Sequence, residues 1–217
     1  MLRELSNSRY LIPVMVALSI LAAGAGFYVS LKLSQQQQLQ NPGIEGLFWP
    51  NPKQIQIFDA IDHHGKPFRL KQIKDKWSFI FFGYTHCPDV CPVTLSVMAN
   101  AYNQLANDNT DVQIIFVTVD PERDTTENLS RYVSYFNEEF IGLGGNTEMI
   151  ESLTKQIGIA YYLNKRGKTV DYLVDHSASI FIIDPKARML AKLSAPHESA
   201  QIVQRFTKIK AFINGQP

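Results

Sequence analysis

Cysteine is nearly missing from this chain: of 217 residues only Cys87 and Cys91 are cysteines, and they stand four positions apart. That spacing argues against a staple for the fold. In the chain-entropy view a bridge closing about five residues is worth about 2 kcal/mol, against about 4.7 for a loop of about a hundred. Net charge is equally scant, with 21 Lys and Arg against 20 Asp and Glu, or +1 overall. Such a balance argues against nucleic acid, whose phosphates favour a strongly basic face. No internal repeat recurs. From Tyr10 to Leu31 charge is absent altogether.

That uncharged run, YLIPVMVALSILAAGAGFYVSL, would span roughly 33 Å as a helix, close to the ~30 Å hydrocarbon core of a bilayer. Pro13 lies near its start, where a helix tolerates proline best. A cleaved signal peptide is the competing reading, with Ala23-Gly24-Ala25 as the small-residue site. Signal segments, however, carry only about 7–15 apolar residues, and here the run continues through Phe27, Tyr28, Val29 and Leu31. An uncleaved transmembrane anchor over residues 10–33 is therefore expected. Arg3 and Arg9 precede it and only Lys32 follows closely. The positive-inside rule then puts residues 1–9 in the cytoplasm and the rest on the periplasmic, or equivalent intermembrane-space, side of an inner membrane. There thiol pairs can oxidise.

The stretch SQQQQLQNPG (34–43) reads as a polar tether, or in its first half as an extension of the anchor helix. GLFWPNP (46–52), with two prolines, is expected to lie extended against the domain. Residues 34–53 thus form a linker. Residues 54–217 are enough for one domain with its own core.

Within that domain IQIFDAI (55–61) and KPFRL (66–70) read as a hairpin turning at Asp62–Gly65. SFIFFGY (78–84) and VQIIFVTV (112–119) are continuous apolar runs suited to strands buried on both faces. Between them, Pro92 to Ala106 carries Leu95, Met98, Ala99, Tyr102 and Leu105 on one helical face. Asp124, three residues before Glu127, signals a helix start, and that helix should reach Phe136. A short helix at 148–157, a hairpin over 159–174 turning at Asn164–Gly167, strands at 179–184 and 189–194, and a last helix from 198 to 212 complete the pattern. Parallel strands joined by helices, with an antiparallel hairpin beside them, make an α/β thioredoxin-like layout with the 159–174 hairpin as an insertion.

On that layout Cys87 falls just beyond the carboxyl end of the first buried strand, where open α/β sheets put their ligands. With Pro92 as first helical residue, Cys91 is expected at the N-cap, where free N–H groups and the helix dipole favour thiolate over thiol. Both sulfurs are then candidates for deprotonation, open either to disulfide formation or to a soft metal. A third ligand is offered by His176, immediately before strand 179–184, in a loop that faces the cysteine loop in a thioredoxin-like sheet. Two sulfurs and one imidazole suit a copper ion, Cu(I) or Cu(II), whereas structural zinc normally takes four ligands. The plainer role for His176 is a buried histidine satisfying backbone groups. A structural role is expected for His86, since neighbouring side chains in an extended loop point opposite ways. His63, His64 and His197 read as turn and helix-start residues.

GYTHCPDVCPVTL, VTVDPERDT and DYLVDHSASIFIIDP, in this order and behind an N-terminal anchor, closely resemble the Sco (SenC) family of copper chaperones. The resemblance implies a thioredoxin-like fold and one copper per chain on Cys87, Cys91 and His176. It implies a membrane-anchored chaperone that delivers copper to the dinuclear copper A site of cytochrome c oxidase subunit II. It also implies a second possible duty as a thiol-disulfide reductant of that subunit's cysteines, through a redox-active Cys87–Cys91 disulfide. Another copper chaperone or a thiol-disulfide reductant would be a further partner. Asp120 belongs to the family signature and suits an acceptor behind the cysteines, or simply an Asp-Pro turn. Asp175 could orient the imidazole, although adjacent residues of a strand face opposite ways.

A metal-free thiol-disulfide oxidoreductase generally has two residues between its cysteines, and here there are three. A peroxiredoxin places threonine three residues before its reactive cysteine, where this chain has Tyr84. A tethered binding module with a structural disulfide is the third class.

Overall fold

The structure, a computed structural model, describes residues 8–40, 43–48, 50–107, 110–165 and 172–215. The chain divides into two units between Gly43 and Ile44. The first contains helix α1 (Ser8–Gln40). Its segment Ile12–Leu33 has a mean hydropathy of 2.0 and buries none of its residues within the protein, as a candidate membrane span would. Ile12, Leu21 and Phe27 all stand outward. The helix runs on to Gln40, so the glutamine-rich start of the expected tether extends the anchor helix.

The second unit is a mixed sheet flanked by helices. Its strands are β1 (Lys53–Gln54), β2 (Asp59–Asp62), β3 (Pro67–Arg69), β4 (Trp77–Gly83), β5 (Val112–Thr118), β6 (Ile141–Gly144), β9 (Ile180–Ile183) and β10 (Arg188–Leu193). They lie in the order β1-β10-β9-β4-β5-β6-β2-β3. A separate two-stranded sheet pairs β7 (Tyr161–Leu163) with β8 (Val174–His176). The helices are the short α2 (Leu70–Ile73), α3 (Val90–Asn107), α4 (Thr126–Phe136), α5 (Thr147–Ile157) and α6 (Ser199–Asn214).

Strands β4 and β5 pair in parallel, Phe81 opposite Phe116, and β9 lies antiparallel on the other side of β4. Every residue of β4 and β5 is buried, which is why both read as unbroken apolar runs rather than alternating ones. This is the thioredoxin-like arrangement, and it places the carboxyl end of β4 at the centre of the sheet.

Several expectations are corrected. The run 55–61 is not one strand: only its end, from Asp59, is strand β2, which pairs with β3 and β6, while β1 ends at Gln54 and pairs with β10 at the opposite edge of the sheet. Ile55 and Phe58 are both buried, a spacing of three that a single alternating strand does not give. The turn at Asp62–Gly65 forms as expected, closed by Gly65 N–H donating to Asp62 O at 2.9 Å. Strand β6 has no counterpart in the sequence reading. Helix α4 is capped by Thr125, whose hydroxyl accepts from Asn128 N–H, and not by Asp124. Helix α3 starts at Val90, so Cys91 lies inside the first turn and not at its N-cap. The insertion hairpin is present as β7 and β8, while the far side of its predicted turn, from residue 166 to 171, lies outside the described residues. Residues 46–48 do run alongside β10, with Phe48 N–H donating to Leu190 O at 2.6 Å.

Candidate metal centre

After Gly83 the chain leaves β4, turns through Tyr84–Cys87, where Cys87 N–H donates to Tyr84 O at 3.2 Å, and enters α3. The start of a helix leaves its first N–H groups unpaired. One of them, Cys91 N–H, points at Cys87 Sγ, 3.4 Å away. Cys91 itself is fully buried and Cys87 is partly exposed. Gly83 makes this close packing possible: a Cβ on it would stand 2.8 Å from Cys91 Sγ and 2.7 Å from the Phe116 ring.

His176 closes the centre from the end of β8. Its Nε2 lies 3.3 Å from Cys91 Sγ, and its Nδ1 is 3.2 Å from Ser177 O. With Nδ1–H donated to that carbonyl, the Nε2 lone pair is left toward the sulfurs, the tautomer a metal-binding imidazole requires. Tyr84 and Phe81 meet the imidazole ring at 88° and 68°, with centroids 6.0 and 6.1 Å away. His197 Nε2, 2.7 Å from Ala178 O, ties down the segment just beyond.

The three donor atoms of Cys87, Cys91 and His176 lie within 4.8 Å of one another. A trigonal centre bound at about 2.0–2.3 Å would hold its donors roughly 3.5–4 Å apart, so the set fits a metal ion with little adjustment. Soft thiolates with one imidazole suit copper. Among the described residues no fourth His, Cys, Asp or Glu joins them.

The two sulfurs are not equivalent, contrary to the expectation that both would ionise readily. The closeness of Cys91 chiefly, then of His176 and the N–H groups of Cys91 and Asp89, lowers the Cys87 thiol to about 3, against the opposing effect of burial. The closeness of Cys87, reinforced by burial, raises Cys91.

The carboxylate that fixes the cysteine loop is Asp124, which the sequence offered only as a helix cap. Its oxygens accept from Thr85 N–H at 3.0 Å, from Thr85 Oγ1 at 2.6 Å and from Thr118 Oγ1 at 2.6 Å. Burial raises its pKa. His86 Nδ1 lies 3.1 Å from Thr85 Oγ1 and 3.7 Å from Asp124, outside the donor cluster. Asp120 is buried and accepts from Tyr172 OH and Arg123 Nε. Asp175 is exposed and accepts from Asn164 Nδ2, while the Ser177 carbonyl orients the imidazole, as strand alternation requires. His63 is buried at the far side of the sheet, its Nδ1 accepting from Gly142 N–H at 3.0 Å.

Residues 50–211 match the SCO1/SenC family model. An SCO2-like protein of Rickettsia prowazekii is 30% identical over 197 residues, covering 89% of this chain and 94% of the relative. Among solved structures, Arabidopsis thaliana ScoI with copper bound is 32% identical with a TM-score of 0.68, over 72% of this chain and 98% of that one. Bradyrhizobium japonicum ScoI with copper bound is 31% identical with a TM-score of 0.64, over 72% and 98%. The fold, the Cys–Cys–His centre and these matches agree on a copper-binding protein: the chain belongs to the SCO1/SenC family.

Proposed function

We propose that this protein is a membrane-anchored copper chaperone that carries one copper on Cys87, Cys91 and His176 and delivers it to the dinuclear copper A site of cytochrome c oxidase subunit II. The observation that carries the reading is the meeting of two sulfurs and an oriented imidazole within 4.8 Å. Cys87 and His176 are only partly buried, which suits ligand exchange: incoming thiolates or imidazoles of the acceptor can displace them in turn. The α1 helix would hold the domain at the inner membrane, on the periplasmic or equivalent side, with the amino terminus in the cytoplasm. A further copper chaperone would load the site.

The test is transfer. The full chain in detergent, loaded with copper, is mixed with the reduced, copper-free copper domain of subunit II, and the mixed-valence copper A spectrum is followed. Appearance of that spectrum, with loss of copper from the chain, supports delivery. Copper that stays on the chain while free copper ions do reconstitute the acceptor overturns it.

A second duty is favoured by the Cys87–Cys91 pair, a thiolate beside a thiol. Cys87 would attack an acceptor disulfide and Cys91 would release the mixed disulfide, giving the acceptor two electrons and the one proton of the Cys91 thiol, with the second proton taken from water, and leaving a Cys87–Cys91 disulfide. A thiol-disulfide reductant would then restore the chain. Reduction of oxidised subunit II by the metal-free chain, counted as free thiols, tests this separately from copper transfer.

A further inference from the structure

We propose that Arg123 is a positioning residue for copper, pinning the segment that carries His176 to the loop that carries Cys87. The need for a pin follows from topology. Among the described residues strand β8 pairs only with β7, in a sheet separate from the one that carries the cysteine loop. The main sheet's ladder therefore does not fix the imidazole, and its placement falls to side chains.

Arg123 sits in the turn after β5 with its side chain only 11% exposed. Its guanidinium carbon is 3.6 Å from the centroid of the Tyr172 ring and 5.7 Å from that of Tyr84. Tyr172 lies four residues before His176, and Tyr84 three before Cys87. One guanidinium thus contacts both ligand-bearing segments. Asp120, 1% exposed, holds it in place by accepting from Arg123 Nε, and its other oxygen accepts from Tyr172 OH at 2.6 Å. A planar, permanently charged group stacks on aromatic faces and pairs with carboxylates in a way that an ammonium does not. The neighbouring pair Lys165–Glu122 is more exposed and adds little.

This inference rests on the copper site itself and not on delivery. Its test uses the full chain in detergent, with Cu(I) affinity measured by competition with a chromophoric chelator and unfolding of the metal-free form followed by heat. Arg123→Leu and Tyr172→Leu are each expected to weaken copper by about 10- to 100-fold, the usual cost of losing a partner behind a metal ligand. Tyr172→Leu leaves the Asp120–Arg123 pair intact, so it serves where Arg123→Leu fails to fold. Tyr172→Phe, which keeps the ring beneath the guanidinium, should lose less, and Arg123→Lys should not restore affinity. Added to His176→Ala, either leucine variant should cost nothing more, because the pin acts through the imidazole. Two results overturn the proposal: near-parental copper affinity in Tyr172→Leu, or a loss of the same size with and without His176.

Discussion

Cys91 Sγ and His176 Nε2 stand 3.3 Å apart although 85 positions separate them in the chain. Cys91 is placed by the first turn of α3, and His176 by the end of an inserted hairpin. Their meeting converts a pair of thiols, which alone would suit exchange chemistry, into a three-donor centre. It also makes the site sensitive to whatever moves either segment.

Gly83 is the clearest such point. In Gly83→Ala the new Cβ would meet the Phe116 ring at 2.7 Å and Cys91 Sγ at 2.8 Å, both closer than carbon and sulfur tolerate. Overpacking of this kind costs about 1–3 kcal/mol. Thermal unfolding of the metal-free variant should show that loss, together with weaker copper binding because the sulfur must shift. Parental values of both would mean that the loop absorbs a methyl group freely.

Asp124→Asn tests the support beneath the cysteine loop. The amide replaces one acceptor oxygen by a donor, facing either Thr85 or Thr118 with the wrong polarity. Leaving a buried group unpaired costs about 1–3 kcal/mol, so unfolding should come at lower temperature and the Thr85 amide proton should exchange faster. A variant as stable as the parent, with slow exchange at Thr85, would remove Asp124 from this role.

The metal-free, reduced protein should show an unusual pH profile of alkylation. An ordinary thiolate fraction rises about tenfold per pH unit below a pKa near 8.5. Cys87, lowered to about 3 chiefly by the Cys91 thiol, is already ionised at pH 5. Its rate of reaction with iodoacetamide should therefore stay nearly flat from pH 5 to 8, while buried Cys91 stays unmodified. A tenfold rise per unit at Cys87 would show that its neighbours do not hold it ionised.

Much of this was legible in the sequence because the physics was local. The two central strands announced themselves as unbroken apolar runs, and Cys87, Cys91 and His176 stood out by residue type and position. The parts that were not legible depend on tertiary neighbours. Strand β6 contains Gly142 and Gly144, which lower strand propensity; Gly142 is small because His63 and Val133 would each stand 3.3 Å from its Cβ. Asp124 and Thr125 are both good cap residues by type, and only the approach of Thr85 and Thr118 diverts the aspartate. The unequal acidity of the cysteines could not be read either, since it arises from the closeness of the two sulfurs, the deeper burial of Cys91 and the neighbouring imidazole.

Two sulfurs and one imidazole form the copper site. This is tested most directly by titrating the reduced full chain with copper beside His176→Ala, counting bound metal and recording the thiolate-to-copper absorption. One copper per parent chain is expected, and in the variant a displaced band with affinity lowered by more than the roughly 10- to 100-fold that loss of a supporting residue costs. Equal affinity and an unchanged band in His176→Ala would contradict it.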